Sequence, residues 1–170
     1  MKAPNGQHSK RPGLYTEAER RRRDATPWTL VQGILAPLQF LVFIVSLGLV
    51  LRTLMTGEGL FAAHASIVIK TLVLYAIMIT GSLWEKAVFG KYLFAPPFFW
   101  EDAVSFVVIG LHTAYLAGLF TGLLSHSHLL ILALLAYAAY VINAAQFLLK
   151  LRSARLERAA TGFGSAEAAS

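Results

Sequence analysis

The sequence predicts an all-α, polytopic integral membrane protein: four transmembrane helices in an antiparallel bundle, with both termini cytoplasmic. Three observations carry this. Hydrophobic residues make up 56% of the chain and charged residues only 14%, too apolar for a soluble domain of this size. The apolar residues fall into four runs, each long enough for a hydrocarbon core of roughly 30 Å. The Lys and Arg residues gather at the chain ends and in the middle loop, as the positive-inside rule expects of cytoplasmic segments.

Residues 1–27 read as a cytoplasmic tail. Met1 to Tyr15 is polar with Pro and Gly, the composition of a disordered segment. Thr16-Glu17-Ala18-Glu19 has the spacing of a capping box and starts a short interfacial helix that runs into Arg20-Arg21-Arg22-Arg23. Thr26-Pro27 starts the next helix, because Pro at the first helical position sacrifices no hydrogen bond.

The transmembrane domain covers residues 28–151. Its first span runs from Trp28 to Leu51, with a kink expected at Pro37. No cleavage site precedes it, so it reads as an anchor. Arg52 to Gly59 is a polar turn, and Phe61 to Trp84 is the second span. An aromatic, prolyl loop follows. The third span runs from Phe99 to Leu124, Ser125-His126-Ser127-His128 forms a turn, and Leu129 to Leu151 is the fourth span. Residues 152–170 form a basic, then alanine-rich, disordered tail.

Each span carries one polar stripe, as bundle-interior faces do. These are Gln32, Gln39 and Ser46; Thr71, Tyr75, Ser82 and Glu85; Glu101, Ser105 and His112; and Tyr140, Asn143 and Gln146. Such side chains either join helix to helix or line a site. A small-residue stripe, Gly110, Ala114, Gly118 and Gly122, should let another backbone approach. Lys70 lies one turn into an apolar run and is expected to snorkel outward, with a buried functional charge as the alternative. His126 and His128 are expected on an exposed turn.

Several functions are disfavoured. There is no cysteine, hence no thiolate metal site and no thiol nucleophile. There is no phosphate loop, GxSxG elbow or HExxH pair. Basic residues beside apolar runs indicate topology rather than nucleic-acid binding. The first span has no carboxylate, which argues against a small proton-coupled transporter. What remains is the loop from Trp84 to Asp102, where three carboxylates meet flat rings at the edge of the membrane. Glu85 ends the second span, where the helix dipole disfavours a negative charge; Glu101 and Asp102 begin the third, where it favours one. Glu85 is thus the candidate proton donor, and Glu101 or Asp102 the candidate base, with helix capping as the plain alternative for both.

Three blocks of residues resemble a known family: Asp24 to Gly33; Trp84-Glu85-Lys86 with Phe94 to Asp102; and His112 to Leu116 with Tyr140 to Phe147. They are similar to the 2-vinyl bacteriochlorophyllide hydratases, also called chlorophyllide a 3¹-hydratases, over residues 16 to 157. The resemblance implies a hydro-lyase adding water to the C3 vinyl group of chlorophyllide a, or of a 3-vinyl bacteriochlorophyllide. The product carries a 3-(1-hydroxyethyl) group, on the route to bacteriochlorophyll a. It implies a multi-pass protein of a bacterial inner, photosynthetic membrane, with the lipid bilayer and other enzymes of that route as partners. It implies no cofactor of the protein's own, because the substrate brings its magnesium.

Hydration of a vinyl group needs an acid, a base, a shielded flat slot and water. Glu85, Glu101 and Asp102 are the candidate catalytic residues. Trp84, Phe98, Phe99 and Trp100 would wall the slot. Lys86 and Lys91 would meet the propionate, His112 would position the ring or ligate the substrate magnesium, and Gln39, Asn143 and Gln146 would complete the binding set. The competing reading is a pigment-binding or assembly protein, which needs the rings and His112 but not the acids. Homo-oligomerisation stays open.

Overall fold

The computed structural model describes residues 13–167, all helical apart from connections. The segment before Gly13, expected to be disordered, lies outside the described residues, as do residues 168–170. The elements are α1 (Glu17–Ala25), α2 (Pro27–Thr56), α3 (Leu60–Phe89), a 3-10 turn (Pro96–Phe98), α4 (Phe99–Thr121) and α5 (His126–Glu167). Four of them, Pro27–Thr56, Leu60–Phe89, Pro96–Thr121 and His126–Leu156, are long and apolar enough to cross a membrane. Large apolar side chains such as Leu30, Leu41, Phe61, Leu72, Phe120 and Leu148 stand exposed around them, as lipid-facing residues do.

The helix starts follow local chemistry. The Thr16 capping box is present in both directions: the Glu19 N–H donates to Thr16 Oγ1 at 3.3 Å, and the Thr16 N–H donates to Glu19 Oε2 at 2.8 Å. Tyr15 is not part of a loose tail, because its ring is buried and stacks on Phe89 at 5.8 Å. Pro37 sits inside an unbroken α2. The α2–α3 turn is short because Gly57 (φ 74°) and Gly59 (φ 79°) both take the left-handed conformation. The expected turn at His126–His128 is instead the first turn of α5. Ser125 caps it, its carbonyl accepting the Leu129 N–H at 3.0 Å and its hydroxyl the His128 N–H at 3.4 Å. At its far end α5 continues past Leu151 to Glu167.

Helix α2 packs on α3 and α4 on α5, and the pairs meet through α2–α5 and α3–α4. The core between them holds Phe43, Val50, Ile67, Leu74, Val108, Tyr115, Leu129 and Tyr137. Polar stripes join helix to helix as anticipated: Gln32 Nε2 donates to Thr80 Oγ1 at 2.7 Å, and Ser46 Oγ meets Ser66 Oγ at 2.7 Å and the Tyr137 hydroxyl at 2.5 Å. The small-residue stripe behaves differently. Gly110 and Ala114 are exposed, Gly122 ends α4, and Gly118 packs on the Leu124 and Leu129 side chains rather than on a backbone. Lys70 does not snorkel. It shares a face with Ile67 and Leu74 and is fully buried, with Nζ 3.8 Å from the Tyr140 ring centre and within 5.7 Å of Phe43 and Tyr137.

Three contacts bring the acid-bearing loop, the N-terminal segment and the far part of α5 to one end. Arg22 Nε donates to the Val88 carbonyl at 2.7 Å, Trp84 Nε1 to Thr29 Oγ1 at 3.0 Å, and Lys150 Nζ to Glu101 Oε2 at 2.6 Å. At the other end His64 meets His126, Nε2 to Nδ1, at 3.1 Å.

Candidate active site

Helix α3 ends at Gly90, whose φ of 80° closes the last turn. The chain then crosses to the 3-10 turn of Pro96 and Pro97, which enters α4. Between them Phe94 holds a positive φ of 57°, costly for a bulky L-residue. Two carboxyl groups keep it there. The Phe94 N–H donates to Asp102 Oδ2 at 2.6 Å and the Ala95 N–H to Glu85 Oε2 at 3.1 Å. Glu85 and Asp102 are 5% and 3% exposed, so these are buried contacts.

Glu85 and Asp102 accept from adjacent loop N–H groups, and their carboxyl groups are close enough to interact with each other. Two carboxyl groups held this close repel when both are ionised, so a single proton shared between them would make a donor and an acceptor in one unit. Sequence position alone put Glu101 and Asp102 on equal terms, but the structure separates them. Successive residues on a helix point about 100° apart, so Asp102 faces α3 while Glu101 faces α5. There Lys150 Nζ pairs with Glu101 and also donates to the Pro97 carbonyl. The Asn143 amide donates to the Glu101 carbonyl at 2.9 Å.

The aromatic residues divide into two groups. Trp84, Phe89, Phe98 and Tyr15 form a closed cluster under the loop, with Trp84 edge-on to Phe98 at 5.6 Å and Phe98 only 3% exposed. Phe94, Phe99, Trp100 and Phe106 form an outward shelf: Phe94 lies parallel to Phe106 at 5.5 Å, Phe99 is 5.4 Å from Phe94, and Trp100 is 71% exposed. The expected slot of Trp84, Phe98, Phe99 and Trp100 is therefore split. The first two brace the loop and the last two face outward. Lys86 Nζ donates to the Gly90 carbonyl at 2.9 Å and lies over the Tyr92 ring, whereas Lys91 is exposed.

The remaining candidates sit deeper. His112 is ten residues beyond Asp102, roughly 15 Å along the helix. It is fully buried; its Nδ1–H donates to the Val108 carbonyl at 2.8 Å, and its Nε2 has no partner. Both amide atoms of Gln39, Lys70 Nζ and Gln146 Oε1 are likewise buried without a hydrogen-bond partner. Asn143 is committed to Ser105 and Glu101.

A lipid-facing cavity of about 220 Å³ lies along Leu41, Val42, Val45, Ser66 and Ile69. A second, of about 190 Å³, lies between Tyr15, Arg23, Leu151, Ala154 and Arg155. Neither is lined by the three acids; Glu85 and Asp102 accept from the loop's backbone and Glu101 pairs with Lys150.

Two participants escaped the sequence reading. Lys150 looked like a topology charge, although it continues the α5 stripe of Tyr140, Asn143 and Gln146. Phe94 gave no local signal, because a positive φ at a non-glycine residue is imposed by distant partners.

The arrangement can donate and recover a proton at the edge of a flat apolar surface. The model of the 2-vinyl bacteriochlorophyllide hydratase family matches residues 15–153. A Rhodobacter capsulatus protein named 2-vinyl bacteriochlorophyllide hydratase is 66% identical over 163 residues, covering 95% of each chain. A Cereibacter sphaeroides protein of the same name is 70% identical over 144 residues, 85% of this chain and 89% of the relative. No solved structure matches the chain. By the length and closeness of these matches, the chain belongs to the 2-vinyl bacteriochlorophyllide hydratase family.

Proposed function

We propose that this chain is a hydro-lyase that adds water to the C3 vinyl group of chlorophyllide a or a 3-vinyl bacteriochlorophyllide, and that Glu85 and Asp102 carry the proton transfers. The observation that supports this most is the buried carboxyl pair beside an outward aromatic shelf. The macrocycle lies against Phe94, Phe99, Trp100 and Phe106. Glu85 gives its proton to the terminal vinyl carbon, whose π electrons form the new C–H bond. The cation left on the inner carbon is spread over the conjugated ring. Water attacks that carbon, and Asp102 takes the proton the water loses. The pair ends with one proton, as it began.

In this reading Glu101 is a brace held by Lys150 rather than the base. Phe94 must move, because its N–H and that of Ala95 occupy the two carboxyl groups. Lys91 is placed to meet the propionate. In this reading His112 is not the magnesium ligand, because its Nε2 is sealed in the bundle core roughly 15 Å of helix away from Asp102. The protein needs no resident cofactor, the magnesium arriving with the substrate. The four spans form an antiparallel bundle in the bacterial inner membrane, and the basic residues of the loop and both tails set that end in the cytoplasm.

The test is product analysis. Purified protein incubated with chlorophyllide a in oxygen-18 water should yield a hydroxyethyl pigment carrying the label. A stable pigment complex with no hydrated product would instead make this a pigment-binding protein.

A further inference from the structure

The cavity between the N-terminal segment and α5 is not part of the acid site. Its floor is the buried Tyr15 ring, which stacks on Phe89 and leans on Phe98 at 6.5 Å. Arg23 forms one wall, its guanidinium 4.9 Å over the Tyr15 ring and its side chain only 16% exposed. Leu151, Ala154 and Arg155 of α5 line the rest of the cavity. A largely buried guanidinium needs an acceptor for its fork of donors. Asp24 supplies part of it, Oδ1 accepting from Nε at 2.8 Å and Nη2 at 2.5 Å. That carboxylate is itself 60% exposed, on the residue next in sequence. Among the described side chains no carboxylate lines the cavity, and no ion pair engages Arg155.

We propose that Arg23 and Arg155 bind an anionic oxygen group, a phosphate or a carboxylate, over the Tyr15 ring. Two guanidiniums from different elements line one cavity, and their planar forks of donors suit such groups. A volume of about 190 Å³ takes a headgroup fragment or a propionate arm, not a macrocycle. The level is right for either source. Arg23 precedes the first span, and Leu151 to Arg155 close the last, so the cavity sits where a helix bundle leaves the hydrocarbon. Lipid phosphates lie at that depth. The carboxylate of the pigment, which would then meet these arginines in place of Lys91, is the second source, and that arm rests on the hydratase reading; the phosphate arm does not.

The experiment uses the full-length protein in nanodiscs, as wild type and as Arg155→Gln and Arg23→Gln/Arg155→Gln. Pigment affinity is read from absorbance, so turnover is not required, with chlorophyllide a and its methyl ester as probes. Thermal stability is read in phosphatidylglycerol and in phosphatidylcholine. If the cavity takes the pigment carboxylate, the variants lose roughly tenfold in affinity for the free acid and nothing for the ester. If it takes a lipid phosphate, phosphatidylglycerol raises the melting temperature of the wild type over phosphatidylcholine, and that rise vanishes in the variants while pigment affinity holds. Unchanged ester discrimination together with an unchanged lipid effect overturns the proposal. Failure of hydration with either binding effect intact overturns the hydratase reading alone.

Discussion

The acid end and the middle of the bundle treat their buried acid and base side chains differently. At the acid end each carboxyl group has a partner: Glu85 the Ala95 N–H, Asp102 the Phe94 N–H, Glu101 the Lys150 ammonium. In the middle, Lys70 Nζ, His112 Nε2 and both Gln39 amide atoms have no hydrogen-bond partner, and Lys70 rests on aromatic rings instead. The difference teaches where position matters. A partnered buried group is held to one geometry, and removing its partner leaves an uncompensated charge. An unpartnered one can often be replaced by an apolar side chain at little cost, or with a gain.

The largest effect is expected for Glu85→Gln. It keeps the shape and the Ala95 contact but removes the transferable proton, so hydration should fall by about a hundredfold or more, ~2.7 kcal/mol of transition-state stabilisation. Steady-state assays on membranes normalised for bound pigment measure it; bound pigment with full turnover would remove Glu85 from the acid role. Next is Lys150→Met, which strands Glu101 in a site where it is almost fully buried. It should cost about 3 kcal/mol of stability, and Lys150→Met with Glu101→Gln should recover most of that. Thermal unfolding in detergent checks both, and equal losses for the single and the double variant would place Glu101 in solvent.

Phe94→Gly should relieve about 1 kcal/mol of backbone strain while removing a ring from the shelf. The expected result is a higher KM without a lower melting temperature; a melting point that drops would mean the ring matters more than the strain. The smallest effect belongs to the middle of the bundle. Lys70→Met should leave hydration unchanged and stability equal or higher, by up to about 2 kcal/mol. A clear loss of activity there would dissolve the contrast between the two regions.

This contrast also marks what a sequence can reveal. The spans were legible because apolar runs of that length leave few alternatives, and the Thr16 box because its partners lie three residues apart. The three acids stood out because charge is rare beside such runs. What stayed hidden depends on partners far along the chain. Lys70 lies in an apolar run and gives no hint that Phe43, Tyr137 and Tyr140 will surround it. The unequal fates of Glu101 and Asp102 depend on which neighbouring helix each one faces. The helical start at His126 follows from Ser125 acting as a cap, a role its histidine neighbours obscured.

The central claim is that Glu85 and Asp102 act as one proton-carrying unit. Single-turnover hydration of chlorophyllide a by Glu85→Gln, Asp102→Asn and the double variant tests it most directly. A unit predicts that the double variant is no slower than the slower single variant, since either change already breaks the proton circuit. Losses that multiply in the double variant, or wild-type turnover by either single one, would contradict it.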